Sequence, residues 1–239
     1  MSYRLSLLPV VVLATLTFVG AIPAEPYSGF ERSYSPQGPA TLTISNINGD
    51  ISVAVWNRKT ISVRAIAPSF VAIEDQVSGN DISVSVKKSL RVGKATFEIS
   101  LPAETSLSLN NIMGRVQVQG VSGHLTVNSF DGDVRLIDVR AHSVDVKVTT
   151  GSIFFDGDLQ GSGTFSLQSV KGDIDITLPG STSFSLVARA LNENINLGEF
   201  ASSLSEGSRG LKGITGTYLK GGPRLSLTTF NGRILLRRK

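Results

Sequence analysis

A twelve-residue unit recurs six times in this chain, and each copy joins two strand-like halves through a glycine at its eighth position. The copies read LTISNINGDISV from Leu42, LSLNNIMGRVQV from Leu107, LTVNSFDGDVRL from Leu125, VDVKVTTGSIFF from Val144, FSLQSVKGDIDI from Phe165 and LSLTTFNGRILL from Leu225. Positions one, three, ten and twelve are apolar throughout, and positions two and four are polar. Side chains alternate between the faces of a strand, so this pattern puts one apolar set on one face of each half. The glycines, Gly49, Gly114, Gly132, Gly151, Gly172 and Gly232, mark a bend that needs a positive φ.

The spacing predicts how the units assemble. Starts at 107, 125, 144 and 165 are 18, 19 and 21 residues apart, and a looser copy at Phe184 adds a step of 19. A period of about twenty residues predicts an all-β, right-handed β-solenoid whose coils bury their apolar faces against one another. The gaps of 65 and 41 residues on either side are close to three and two periods, so degenerate coils are expected to fill them, the first from stretches 61–65, 82–86 and 97–101. A hairpin-built β-sandwich is the alternative, because Asn48-Gly49, Asp131-Gly132 and Asn231-Gly232 are also two-residue turn signals. FEISLPAETSLSL from Phe97 is echoed by IDITLPGSTSFSL from Ile174, 77 residues later, which points to duplication.

Residues 1–24 read as a secretory signal peptide: Arg4 precedes an apolar run from Leu5 to Val19, and cleavage is expected after Ala21 or Ala24. A retained anchor is the alternative. Residues 25–40 then form a lead-in or cap and 41–239 the repeat domain, in an exported protein of the periplasm, surface or medium. The chain has no cysteine, so neither lipid attachment nor disulfides are expected. Of its 23 Lys and Arg only Arg4 lies in the leader, and the mature charge of about +3 is too weak and dispersed for nucleic acid. Arg233, Arg237, Arg238 and Lys239 cluster at the terminus. They read as protection of an edge strand, or as a weak attachment to anionic surfaces.

Catalytic signals are sparse. His124 and His142 have no companions at metal spacing, and no cofactor is expected. Asp133 and Asp173, at position nine of units three and five, would lie two coils apart, at the upper limit for an inverting carboxylate pair. With Asp175 they define an enzymatic alternative, a polysaccharide-active β-helix. Aspartate beside glycine is also what a tight turn prefers, and Arg115 would neutralise Asp133. Positions two and four predict a flat polar face, and position five (Asn46, Asn111, Ser129, Ser169, Thr229) a ladder of hydrogen-bonding side chains at the bend, both read as solvated. Position eleven places Phe154 outside between Arg135 and Asp175, a candidate contact point unless, as the favoured alternative has it, a loop covers it.

The unit at Leu42, Trp56 after it, the patterns Ile99-Ser-Leu101-Pro102 and Ile176-Thr-Leu178-Pro179, and the recurring Asn/Asp-Gly turns resemble the bacterial putative-adhesin family of β-strand-repeat proteins, which is similar to GIN-type adhesin-head domains. The resemblance covers about residues 30–239. It implies an exported, β-helical, non-catalytic envelope protein with an adhesive role and brings no catalytic residues with it; the long polar face adds a glycan or an envelope protein as the expected partner, or a structural role.

Overall fold

The computed structural model describes residues 27–87, 91, 93–205, 207–210 and 213–239. The expected signal peptide lies outside these residues. Among them, two sheets of 10 and 12 strands face each other, and most neighbouring strands are parallel and in register. The chain is a β-solenoid, and the Asn-Gly and Asp-Gly pairs are corners where a coil crosses from one sheet to the other. Each unit therefore supplies a strand to both sheets. Positions one and three of the first strand and ten and twelve of the second point into the space between them. Leu107, Leu109, Val116 and Val118 illustrate this, all buried.

Eight coils stack in the order given by the pairing. Coil 1 is Asp81–Val86 with Thr96–Leu101, and coil 2 is Thr41–Asn48 with Ile51–Val55. Coils 3 to 6 follow the sequence: Ser106–Met113 with Val116–Gln119, Leu125–Asp131 with Val134–Val139, Val144–Thr150 with Ile153–Gly157, and Thr164–Lys171 with Ile174–Leu178. Coil 7 is the last unit, Arg224–Asn231 with Ile234–Arg238, and coil 8 is Phe184–Ala190 with Ile195–Asn196.

This order corrects the expectation that degenerate coils fill the gaps in sequence. The unit at Leu42 stacks directly on that at Leu107, and the unit at Leu225 directly on that at Phe165. The stretches 82–86 and 97–101 are the two halves of one coil outside the first unit, while 61–65 belongs to an antiparallel strand. From coil 1 the chain passes over coil 2 to coil 3, and from coil 6 it passes over coil 7 to coil 8. Both passages begin at the echoed Leu-Pro, at Leu101-Pro102 and Leu178-Pro179. In each, a threonine N–H closes a turn onto the proline carbonyl, Thr105 to Pro102 and Thr182 to Pro179, both at 3.1 Å. The carbonyls of Leu101 and Leu178 accept the N–H groups of Trp56 and Lys239, which belong to the skipped coils. The duplicated motif thus marks the two places where the stacking order departs from chain order.

Antiparallel strands close both ends. Ile61–Pro68 pairs with coil 1 and Tyr27–Tyr34 with Ile61–Pro68, while Ile73–Ser78 covers the other sheet. At the far end Gly213–Tyr218 pairs antiparallel with Phe184–Ala190. Beneath it Tyr218, Phe184 and Phe200 pack ring on ring, with centroids 4.9 to 5.6 Å apart, and seal the core. Capping of this kind blocks end-to-end stacking of copies.

Candidate binding face

The corner explains most of the polar residues that the sequence singles out. A Cβ on Gly114, Gly132, Gly151, Gly172 or Gly232 would fall inside contact distance of the carbonyl oxygen of the glycine one coil before, and on Gly49 that of Ala95. The glycines form one column, packed backbone on backbone. Five of them have φ between 121° and 153°; for Gly232 close approach alone is the reason.

At this column the ladder leaves two backbone groups per coil without a main-chain partner, and buried groups of that kind must be satisfied. The glycine carbonyl receives the position-five side chain. Asn111 Nδ2 donates to Gly114 at 2.9 Å and Gly49 at 3.1 Å, Ser169 Oγ to Gly151 at 2.9 Å, and Thr229 Oγ1 to Gly172 at 3.0 Å. These residues are buried, which corrects the expectation that position five lies on a solvated surface.

The position-nine N–H receives a side chain from the coil before. Asp50 accepts from Arg115 N at 2.9 Å, Asp133 from Ser152 N at 2.9 Å, and Asp173 from Arg233 N at 2.8 Å. Asp173 also holds the Arg233 guanidinium at 2.8 Å. The Arg233 N–H, then its guanidinium, keep the Asp173 carboxyl below the usual carboxylate range, and the Arg115 N–H does the same for Asp50. Asp133 and Asp173 are thus bound into separate corners. Among the described residues no group of three or more His, Cys, Asp or Glu is arranged to hold a metal ion.

The other sheet carries position eleven outward, with Arg135, Phe154 and Asp175 side by side in register. The Arg135 guanidinium lies over the Phe154 ring, 4.9 Å from its centroid, and leaves Phe154 half-buried. Asp175 pairs with Arg237. The rest of the terminal cluster is engaged similarly: Arg233 with Asp173, Arg238 with Glu199 at 3.8 Å, and Lys239 with Asp156. His124 and His142 are exposed neighbours, ring centroids 6.1 Å apart, and His124 Nδ1 is 2.7 Å from Ser143 Oγ.

A different column breaks the polar rule on the twelve-stranded sheet. Its outward face consists of positions two, four and six. Position six reads Ile47, Ile112, Phe130, Thr149, Val170 and Phe230 through coils 2 to 7, and the pairing of Leu186 with Leu225 adds Leu191 from coil 8. Phe130 is 60% exposed and Phe230 49%. At ~4.8 Å per coil this apolar stripe runs about 29 Å along the stack. Beside it lies the amide and hydroxyl column of position four, with Asn128 Nδ2 donating to Asn110 Oδ1 at 3.0 Å. Stripe and column line an open groove of about 740 Å³. Position six was not among those read from the sequence, where positions one, three, ten and twelve define the apolar set. Reading that position down the six copies was the available signal.

A second cavity, about 880 Å³, lies among three loops around Trp56, Lys59 and Glu104. There Arg58 stacks over the indole at 4.8 Å, and the indole N–H donates to the Thr60 carbonyl at 2.7 Å.

The family model described as Toastrack DUF4097 matches residues 26–237. Among solved structures, the fold is similar to that of a "putative cell adhesion protein" from Clostridium sporogenes ATCC 15579, with a TM-score of 0.56 and 13% identity over 90% of this chain and 100% of that one. A "putative adhesin" from Bacteroides fragilis NCTC 9343 matches with a TM-score of 0.49 and 15% identity, over 89% of this chain and 97% of that one. No curated protein matches the chain.

Proposed function

This chain belongs to the Toastrack family, and on that premise we propose that it is an exported, non-catalytic binding module of the cell envelope whose docking face is the groove along position six. One observation carries the reading. The side chains that this sheet turns outward in coils 2 to 7 are polar at positions two and four, whereas position six is apolar in every coil but one. Exposed apolar side chains aligned in register, interrupted at Thr149, support placing the docking site here, since singly scattered exposure would need no explanation. The adhesive role in the name of the Clostridium sporogenes structure is consistent with a face of this kind.

Hydrolysis through Asp133, Asp173 or Asp175 is the weaker reading. A glycoside-cleaving pair needs one carboxyl held protonated by apolar surroundings. Asp173 is instead held in its charged form, Asp133 serves a corner N–H, and Asp175 is paired with Arg237.

The test is retention of isolated cell-envelope fractions, with polysaccharide, protein and lipid kept separate, on the immobilised mature protein. Wild type is expected to retain one fraction and release no reducing sugar. The double variant Phe130→Ser/Phe230→Ser should lose that retention, whereas Ser108→Ala on the polar column should keep it. Equal retention by the double variant, or release of sugar by wild type, contradicts the proposal.

A further inference from the structure

The shape and charge of the groove narrow what can occupy it, and the inference rests on the docking face proposed above. Its apolar floor is a single side chain wide. Adjacent outward columns stand two residues apart along the strands, roughly 7 Å, so the stripe offers on the order of 200 Å² over its length. A stable protein partner or a second copy of this chain needs ~800 Å² per side. The dimensions fit one extended chain lying along the stack.

Charge and hydrogen bonding select the chemistry of that chain. Across coils 2 to 8 the charges at positions two, four and six are Asp145 and Lys147, which pair with each other at 2.8 Å, and Arg189 in the last coil of the stripe. Such a surface complements an uncharged ligand and lacks the basic rim of a membrane-binding face. An added peptide strand would need free backbone donors and acceptors, and here the in-register ladders use them within the sheet. The stripe also repeats every ~4.8 Å, out of step with the ~6.6 Å between same-face side chains of an extended peptide. What the face does offer is side-chain amides and hydroxyls beside aromatic rings. Asn110, Asn128 and Gln168 each make one side-chain hydrogen bond and keep further donor and acceptor capacity.

We propose that the groove binds a neutral linear glycan lengthwise, its ring C–H faces packed on Phe130 and Phe230 and its hydroxyls bonded to the position-four amides. Apolar faces edged by hydroxyls match an apolar column beside an amide column, and the two aromatic rings supply the anchoring contacts.

The experiment is calorimetric titration of the mature protein with cello-, chito- and manno-oligosaccharides long enough to span the stripe. Oligogalacturonate, hyaluronan oligosaccharides, and vesicles of phosphatidylcholine with and without phosphatidylglycerol serve as comparators. Each protein's thermal unfolding is recorded alongside. The expected result is binding of at least one neutral oligosaccharide, little changed by salt, weakened about tenfold or more by Phe130→Ala and by Phe230→Ala, and unchanged by Ser108→Ala. Preference for an anionic oligosaccharide or for vesicles, lost in the same Phe variants, overturns the ligand class and leaves the docking face standing. Neutral binding that survives both Phe variants overturns the docking face. Binding of none of these probes by a folded wild type overturns the glycan proposal.

Discussion

Gly132 sits where two demands coincide. Its φ of 146° is strained for any L-residue, and a Cβ would meet the Gly114 carbonyl and backbone. Gly161 has a φ of 68° with nothing near its Cβ position, so it carries only the first demand. Gly161→Ala should therefore cost about 1 kcal/mol, and Gly132→Ala about 3 kcal/mol or more, because the stack must also part. Denaturant unfolding of the two variants checks the difference, and equal costs would mean that the column is not close-packed. Position nine makes a second residue-scale prediction. Asp173→Asn keeps an oxygen for the Arg233 N–H but gives up the charge that holds the guanidinium, so it should cost less than Asp173→Ala, which strands that N–H and should cost about 1 kcal/mol. Asp50 and Asp173 have depressed folded-state pKa values, so the unfolded chain binds their protons first as pH falls. Their contribution is complete above the ~3.9 of an unfolded aspartate and is lost below it, as pH drops through the folded values. A pH series of unfolding midpoints should show an offset in favour of wild type over Asp173→Asn that is constant above that range and closes as pH falls through it.

At the scale of the element, the unit was legible in the sequence and the neighbour was not. Alternation decides which face of a strand is buried, and the glycine decides where the coil turns, both through local chemistry. Every unit carries the same apolar columns, so the pattern is satisfied equally whichever unit stacks on which. Ile174–Leu178 could pair with a strand following in sequence, yet it pairs with Ile234–Arg238. The clue to the exchange was present as the Leu-Pro echo, but its meaning lies in a crossing that only three dimensions display. Position six does not keep one character in every unit, since Thr149 interrupts its apolar residues, and its alignment shows once the units are stacked in register. The exchanged order has a consequence for stability. Truncation before residue 221 removes coil 7 and leaves the facing edges of coils 6 and 8 without partners. Hydrogen exchange should then show protection lost at Phe165–Gln168 and Leu186–Arg189 and retained at Leu125–Asn128. Protection unchanged beside the missing coil would contradict the stacking order.

The described residues form a capped column with an apolar core, and its outward surfaces are polar on most of their length. Its corners consume polar groups that looked functional in the sequence, and a line of apolar side chains, interrupted at Thr149, faces solvent. The direct test is to observe which side chains a ligand touches. Methyl- and aromatic-labelled mature protein, titrated with the envelope polysaccharide fraction, distinguishes outward from inward residues of the same strands by NMR. The predicted result is that the signals of Ile47, Ile112, Phe130, Val170 and Phe230 shift together while those of Ile44, Leu109 and Val127, one face away, stay in place. Shifts centred on Phe154 or Trp56, with the position-six signals unmoved, would contradict the account.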